Sequence, residues 1–303
     1  MVLDLLSAAP VELVVMHNEE LIGTPELNSD VDIALSVPVS EVLALLEPRL
    51  KELGIIPAVI WTYDVGGGAS VFFTSRDGMV GAQIDILHDL KGDGRYGLRS
   101  DEMLARRQQG SRYQVPDRLD ELLYELIKSH IKGRMRQVEV SRGRLKSDFT
   151  IEEISSRADQ LFEPPVAKVV RRILRNERGR APFRARRWFK SLIRLGNRLR
   201  YPIGFWIEIC GPSDKSEPLA IELRERFGSW LVASAASARP RRGLGVLYWW
   251  LTRVSPVRMR AGLFVSWSER SNKRLQPDLT LKPSESSSLA EQIVAGMGNR
   301  AWR

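Results

Sequence analysis

The stretch 28–35, NSDVDIAL, places two carboxylates two residues apart inside a short run of apolar side chains. Its alternation predicts a β-strand in which Asp30 and Asp32 share one face and Val31 and Ile33 the other. Burying an ionised carboxylate is costly unless a counter-charge or hydrogen bonds compensate it. The chain must therefore fold so that groups able to neutralise both acids lie beside this strand.

A third acid, Asp85, lies in a similar apolar setting in AQIDILHD, on a second predicted strand. If the two strands are neighbours, Asp30, Asp32 and Asp85 form one cluster. Carboxylate oxygens are hard ligands that favour Mg²⁺ or Mn²⁺. Two metals held in this way stabilise both the attacking and the leaving oxygens of a phosphoryl transfer. The alternative is structural, with Asp30 and Asp32 capping a turn or a helix at a strand end.

Short apolar runs alternate with helix-spaced repeats along the chain, which predicts an α/β protein. Before residue 165 the pattern predicts strands at 11–16, 30–37, 56–65 and 69–90, a helix at 39–54 and mostly helix from Pro116 to Phe162. After residue 200, strands and helices alternate in a way that predicts a mostly parallel sheet. Since no apolar run approaches the about 20 residues that span a bilayer, no transmembrane segment is expected.

The positive charge is concentrated in one segment. Residues 166–200 hold 13 Lys and Arg against one acid, Glu177, so this segment carries +12 of a chain whose net charge is +9. It reads as two amphipathic helical pieces that either link two domains, bind the nucleic acid backbone, or lie on an anionic membrane surface. The membrane interpretation uses an apolar face that contains Trp188, Phe189, Leu192, Ile193 and Leu195. The stretch LYWWL, with Tyr248, Trp249 and Trp250, is interpreted as core, the alternative being stacking on bases.

One cysteine and three histidines far apart in sequence exclude a disulfide framework, a cysteine-rich zinc site and a histidine-dominated metal site. The N-terminal stretch carries Asp4 where a signal peptide would carry Lys or Arg. Together these features predict a cytoplasmic protein.

The motif SDVDIAL followed by QIDIL resembles the nucleotidyltransferase superfamily of the polymerase-beta type. The resemblance covers residues 8–165. It implies a mixed sheet with helices, an NTP as donor of the nucleotidyl group, and Asp30, Asp32 and Asp85 as catalytic Mg²⁺ or Mn²⁺ ligands. The acceptor and the preferred base are not identified by it.

The family has a Gly-Ser turn after its first strand, and here that position is held by His17 and Asn18, with eleven residues between Asn18 and Asp30. The resemblance places these two residues beside the nucleotide phosphates, although a lone histidine at a strand end is also compatible with a structural part. Further on, Tyr124, Lys128 and Lys132 lie four residues apart on one predicted helix face. This stripe either faces phosphate or is a solvated surface.

The stretch FWIEICGPSDKSE has the order strand, Gly-starting loop, Lys-Ser and helix. A phosphate loop reads G-x-x-x-x-G-K-[ST]. Here Gly211 reaches Lys215 and Ser216 over a shorter loop, and Asp214 stands in place of the second glycine. The stretches LFVSWSER and PDLTLKP complete a resemblance to the thymidylate-kinase-like domain that follows nucleotidyltransferase-like domains in some bacterial proteins. It implies a degenerate, truncated P-loop domain without kinase activity, and the alternative is a plain strand-to-helix turn.

The sequence thus predicts a two-domain α/β protein. Residues 1–165 form a nucleotidyltransferase-like domain with a helical tail, residues 166–200 basic linker helices, and residues 201–303 a degenerate kinase-like domain. The expected activity is Mg²⁺-dependent transfer of a nucleotidyl group from an NTP to an unknown acceptor. The alternatives are a catalytically impaired nucleotide-binding pseudoenzyme and an adaptor that binds nucleic acid or an anionic membrane through the basic segment.

Overall fold

The computed structural model describes residues 1–16, 19, 22, 31–62, 68–88, 97–176, 204–228, 233–240, 244–254, 262–269, 277–283 and 289–301. The chain groups into two compact units that interleave in sequence. Unit 1 contains Met1–Glu47, Thr62–Ser70 and Ile84–Leu192, and unit 2 contains Pro48–Trp61, Val71–Gln83 and Ile193–Arg303. The α/β class is confirmed, with one mixed and one parallel sheet.

The N-terminal elements form the mixed sheet. They are α1 (Val2–Ala8), β1 (Leu13–Val15), β2 (Val31–Leu35), α2 (Val39–Glu52), β3 (Ile55–Thr62), β4 (Ala69–Ser75) and β5 (Gly81–Leu87). The strand order is β1-β2-β5-β4-β3. Strand β1 is antiparallel to β2, whereas β2 and β5 are parallel neighbours. The predicted neighbourhood of the strands that carry Asp32 and Asp85 is therefore present.

A short hairpin and five helices follow in unit 1. They are α3 (Ser100–Ala105), β6 (Gln108–Gln109), β7 (Gln114–Val115), α4 (Arg118–Lys132), α5 (Met135–Asp148), α6 (Ile151–Leu161) and α7 (Pro164–Leu174). Local chemistry sets several of these boundaries. The Asp117 carboxylate accepts the backbone N–H of Asp120 at the start of α4, and Gly133, at φ 73°, ends that helix. Thr150 and Glu153 form a reciprocal capping box at the start of α6.

The core of unit 1 lies between one face of the mixed sheet and these helices. Val14, Ala34 and Leu87 from the sheet belong to the same buried cluster as the apolar face of α4. That face contains residues at helical spacing, namely Leu119, Leu122, Leu123, Leu126 and Ile127. Helix α4 therefore lies over the sheet face that also carries Asp32.

A buried ion cluster joins three helices of unit 1. The Arg157 guanidinium on α6 binds Asp120 on α4 through two hydrogen bonds of 2.6 and 2.7 Å. Its Nη1 also lies 3.1 Å from Glu102 on α3. Burial raises the pKa of Asp120, and the hydrogen bonds from Arg157 oppose that shift. Such a two-point pair fixes orientation as well as charge, so it sets how the three helices meet.

The C-terminal elements form the parallel sheet of unit 2. They are β8 (Phe205–Cys210), α8 (Ser213–Gly228), β9 (Ala233–Ala238), α9 (Leu244–Trp249) with a π-helical continuation (Trp250–Val254), β10 (Gly262–Ser268), β11 (Leu279–Leu281) and α10 (Leu289–Ala301). The strand order is β11-β8-β10-β9, and every pair is parallel. The mostly parallel C-terminal sheet expected from the sequence is thus present.

Aromatic packing covers one face of this sheet. The Trp249 ring meets Trp206 and Phe264 edge-on, with centroids 6.0 and 5.5 Å apart. Trp249 is buried, whereas Tyr248 is 71% exposed. The interpretation of this segment as core therefore holds for Trp249 but not for Tyr248.

None of the helices in the described residues is both long and apolar enough to cross a membrane. Of the basic segment, residues 166–174 belong to α7, and residues 177–200 lie outside the described part of the chain. The linker function expected for 166–200 stays a prediction, as do the domain limits placed along the chain. The same holds for the apolar face expected around Trp188.

Candidate functional site

Asp32 and Asp85 lie side by side on neighbouring strands. The parallel register of β2 and β5 pairs them directly, with Val31 opposite Ile84 and Ile33 opposite Ile86. Residues paired across adjacent strands point to the same face of the sheet, and adjacent strands lie about 4.8 Å apart. Both carboxylates therefore project together toward the side covered by α4, where like charges would repel without compensation.

Two side chains of α4 compensate Asp32. The Lys128 ammonium donates a charge-assisted hydrogen bond to Asp32 Oδ2, and the Tyr124 hydroxyl donates to the same oxygen at 3.2 Å. The ammonium also lies 5.5 Å from the centre of the Tyr124 ring. Asp32 is 3% exposed and Tyr124 1%, so this interaction takes place away from bulk water.

Asp85 has a different neighbour. The Ser70 hydroxyl on β4 donates a 2.6 Å hydrogen bond to Asp85 Oδ1. Ser70 is buried and Asp85 half-buried. The sequence analysis missed Ser70, and the only signal was a small polar residue at the start of the apolar run ASVFF. Its hydroxyl orients the Asp85 carboxylate beside Asp32.

The third acid, Asp30, and the turn residues His17 and Asn18 lie outside the described residues. Within the residues that are described, no group of three or more His, Cys, Asp or Glu side chains is placed to hold a metal ion. Asp30 directly precedes Val31, the first residue of β2. The three-carboxylate site therefore stays a prediction. The structure describes two of its three carboxylates, those of Asp32 and Asp85.

The stripe on α4 divides into two environments. Tyr124 is buried and the Lys128 side chain is 15% exposed, whereas Lys132 lies at the exposed C-terminal end of the helix. A purely solvated surface, one of the two interpretations of this stripe, is therefore wrong for Tyr124 and Lys128. These two residues contact the carboxylate site itself.

The phosphate-loop candidate in unit 2 is a tight turn. Strand β8 ends at Cys210 and α8 begins at Ser213, so only Gly211 and Pro212 connect them. The backbone N–H groups of Lys215 and Ser216 donate to the Pro212 carbonyl, at 3.2 and 2.9 Å. Phosphate loops present their amides to the ligand, and here these amides complete the first turn of the helix.

The side chains at this turn are also separated. Lys215 is exposed, whereas the Ser216 hydroxyl is buried and has no hydrogen-bond partner among the described residues. A Cβ added at Gly211 would lie 2.8 Å from the Pro283 ring, so Pro283 fills the space next to the glycine. The structure does not bring Gly211, Lys215 and Ser216 together around an open cradle.

A buried carboxyl group in unit 2 was also missed by the sequence analysis. Glu208 in β8 is fully buried, and Arg239, which follows β9, lies 2.5 Å from its Oε1. The Ser268 hydroxyl donates to the same oxygen at 3.3 Å. Burial raises the pKa of Glu208, and Arg239 opposes the shift. The signal in the sequence was a lone acid inside the apolar run FWIEIC.

Comparison with known proteins identified no relative of this chain. No protein-family model matches the chain. Searches of curated proteins and of solved structures also return no significant match.

Proposed function

We propose that unit 1 carries a Mg²⁺-dependent nucleotidyltransferase site, which transfers a nucleotidyl group from an NTP to an acceptor hydroxyl or phosphate. The observation that supports it best is the direct pairing of Asp32 and Asp85 across two parallel strands. An isolated Asp-x-Asp is common as a cap, but a cap needs no second carboxylate on the neighbouring strand.

The residues present fit a magnesium ion. Mg²⁺ in phosphate-transfer sites takes one or two carboxylates and completes its coordination with water and substrate phosphates. Asp32 and Asp85 supply two such carboxylates, and Asp30 is the expected third. When bound, the metal would neutralise phosphate charge and activate the attacking oxygen.

The other side chains have distinct parts in this proposal. Lys128 compensates Asp32 and is the cation nearest to the carboxylates in the described contacts, so it is the group to bind a nucleotide phosphate. Tyr124 fixes Asp32 through its hydroxyl, and Ser70 fixes Asp85. His17 and Asn18 are proposed to contact the phosphates from the preceding turn.

The test measures transfer from NTPs labelled at the α-phosphate, with Mg²⁺ or Mn²⁺ and a lysate as source of acceptors. Asp85→Asn is the main variant, because Ser70 can still bond an amide oxygen and the fold is expected to persist. Asp148→Asn, an exposed acid at the end of α5, is the control. We expect loss of labelling with Asp85→Asn alone. Equal labelling by both variants and the wild type contradicts the proposal.

A second candidate is a nucleotide-binding protein without turnover. The observation that favours it is the Lys128–Asp32 pair, which already neutralises one carboxylate within the chain. Equilibrium binding of Mn²⁺ and labelled NTP separates the two candidates. Binding that is lost in Asp85→Asn, without transfer to any acceptor, supports the second candidate.

Unit 2 is proposed to have a structural or regulatory part rather than a kinase activity. Its two-residue connection between β8 and α8 supports a degenerate phosphate loop. Incubation of the purified protein with ATP and nucleoside monophosphates tests this, and formation of diphosphates that depends on Lys215 would contradict it.

A further inference from the structure

Helix α7 carries a continuous row of cations. Lys168, Arg171, Arg172 and Arg175 follow the spacing i, i+3, i+4, i+7, which places them on one face of the helix. Among the residues that the structure describes, these four line an open cavity of about 450 Å³. Four cationic side chains around one cavity suit a ligand with several negative charges.

The cations of this row differ in their acidic partners among the described residues. Arg171 binds both carboxylate oxygens of Asp159, at 2.5 and 2.6 Å. No carboxylate of the described residues forms an ion pair with Lys168 or Arg172. These two cations are therefore available to an external anion, while Asp159 holds Arg171 in place between them.

The opposite side of α7 is committed to the core of unit 1. Val166, Ala167, Val169, Val170 and Leu174 are buried there, and Ile173 packs against the same cluster. Beyond Pro164 and Pro165 in its first turn, the exposed side of α7 presents no apolar side chain to insert into a bilayer, as interfacial helices require. Its chemistry is purely electrostatic and rich in guanidinium groups, which bind phosphate oxygens in pairs.

The length of the row suits a phosphodiester chain. From Lys168 to Arg175 the helix rises about 10 Å, and phosphates of one nucleic acid strand follow each other about every 3.4 Å along the axis. The row is therefore long enough to contact more than one phosphate of a strand. The sequence directly after α7 adds nine Lys and Arg against one acid between residues 177 and 200, so the positive charge continues along the chain.

We propose that the row Lys168–Arg171–Arg172–Arg175 on α7 is a binding surface for the phosphodiester backbone of nucleic acid, independent of base sequence. This surface is separate from the proposed transfer reaction, because none of the four cations belongs to the carboxylate site. Binding is expected to persist in Asp85→Asn protein, so that failure of one proposal leaves the other testable.

The experiment measures fluorescence anisotropy of labelled single-stranded RNA and duplex DNA with the full chain, over a series of salt concentrations. The variant is Lys168→Ala/Arg172→Ala, and the control is Arg49→Ala/Lys51→Ala on α2, which removes the same charge elsewhere. Removing two phosphate contacts is expected to weaken binding about tenfold and to reduce the salt slope by about 1.4 for single strands and 1.8 for duplex. The control is expected to change the affinity and the salt slope much less than the variant does.

Three results would overturn the proposal. The first is an identical salt slope in the variant and the wild type. The second is binding to phosphatidylserine vesicles that depends on Lys168 and Arg172 without binding to either oligonucleotide. The third is displacement of RNA by pyrophosphate at equal phosphate concentration, which would identify a site for a small phosphate ligand. Circular dichroism of the variant checks that α7 remains folded.

Discussion

At the scale of single residues, the ion pair with Lys128 explains how the buried carboxylate of Asp32 is tolerated in this sheet. Asp32 and Lys128 are both largely buried, and their charges compensate each other. Removing one partner of a buried pair leaves an uncompensated charge, which costs about 3–5 kcal/mol. The pair is therefore a strong constraint on the fold whatever the site does chemically.

We expect Lys128→Met to lower the free energy of unfolding by about 3 kcal/mol, because Asp32 would remain buried without its ammonium partner. Urea unfolding followed by circular dichroism measures this. Lys132→Met, one turn further along α4 and exposed, is the matched control and is expected to cost less than about 1 kcal/mol. If Asp32 and Asp85 hold Mg²⁺, millimolar magnesium restores part of the loss, and a loss insensitive to magnesium counts against the metal site.

Glu208 gives a pH dependence with a definite sign. Its folded-state pKa lies above the ordinary value of 4.5, so its contribution to stability is fully present below that value and is lost as the pH rises through the folded pKa. The free energy of unfolding of the wild type relative to Glu208→Gln should therefore fall as the pH rises above 4.5, because glutamine does not titrate. Urea unfolding of both proteins between pH 4 and 8 measures the difference. A difference that grows with pH would show that Arg239 dominates over burial.

At the scale of elements, the sequence predicted what depends on local chemistry. The mostly helical stretch that begins at Pro116 and contains α4 was predicted from the pattern of neighbouring residues. The strand with Asp32 followed from its alternation. Two sets of contacts could not be predicted from such patterns. They are the contacts of Tyr124 and Lys128 with Asp32, and the contact of Ser70 with Asp85. Both join elements far apart in sequence, and no local pattern indicates which side chain will approach a buried acid.

The capping box of α6 gives a prediction about one element. Thr150 accepts the backbone N–H of Glu153, and the Glu153 carboxylate accepts the backbone N–H of Thr150. Thr150→Ala removes one half of this exchange and is expected to cost about 1 kcal/mol in chemical denaturation. Ser147→Ala, close by on α5, serves as control because its hydroxyl caps no helix start. Equal stabilities of the two variants would show that α6 is held by packing alone.

At the scale of the whole molecule, the two contact units do not follow one another along the chain. Ala58, Val59 and Phe72 belong to the same buried cluster as Ile207, and Phe227, Val265 and Ile293 belong to it as well. Residues from the first sheet thus complete the core of unit 2. The composition of a segment cannot reveal such an exchange, because apolar residues in β3 and β4 look alike whichever core they enter.

A fragment that ends at residue 176 is therefore expected to expose Ala58, Val59 and Phe72. Uncovering a large apolar side chain costs about 2 kcal/mol, and exposed apolar clusters promote association. We expect the fragment to bind the dye ANS and to self-associate in size-exclusion chromatography, whereas the full chain does neither. A monomeric fragment that unfolds cooperatively without binding the dye would contradict this.

The contact between Lys128 and Asp32 also has a consequence for ligand binding. On the proposed function, the ammonium is an internal competitor of the metal, and a cost of about 2 kcal/mol for its displacement would weaken the apparent metal affinity about thirtyfold. A nucleotide that binds together with the metal gives the displaced ammonium a phosphate partner. This new contact offsets the cost of displacement. Metal and nucleotide should then each strengthen the binding of the other by the same factor. The empty site should therefore bind magnesium weakly on its own and more tightly together with a nucleotide.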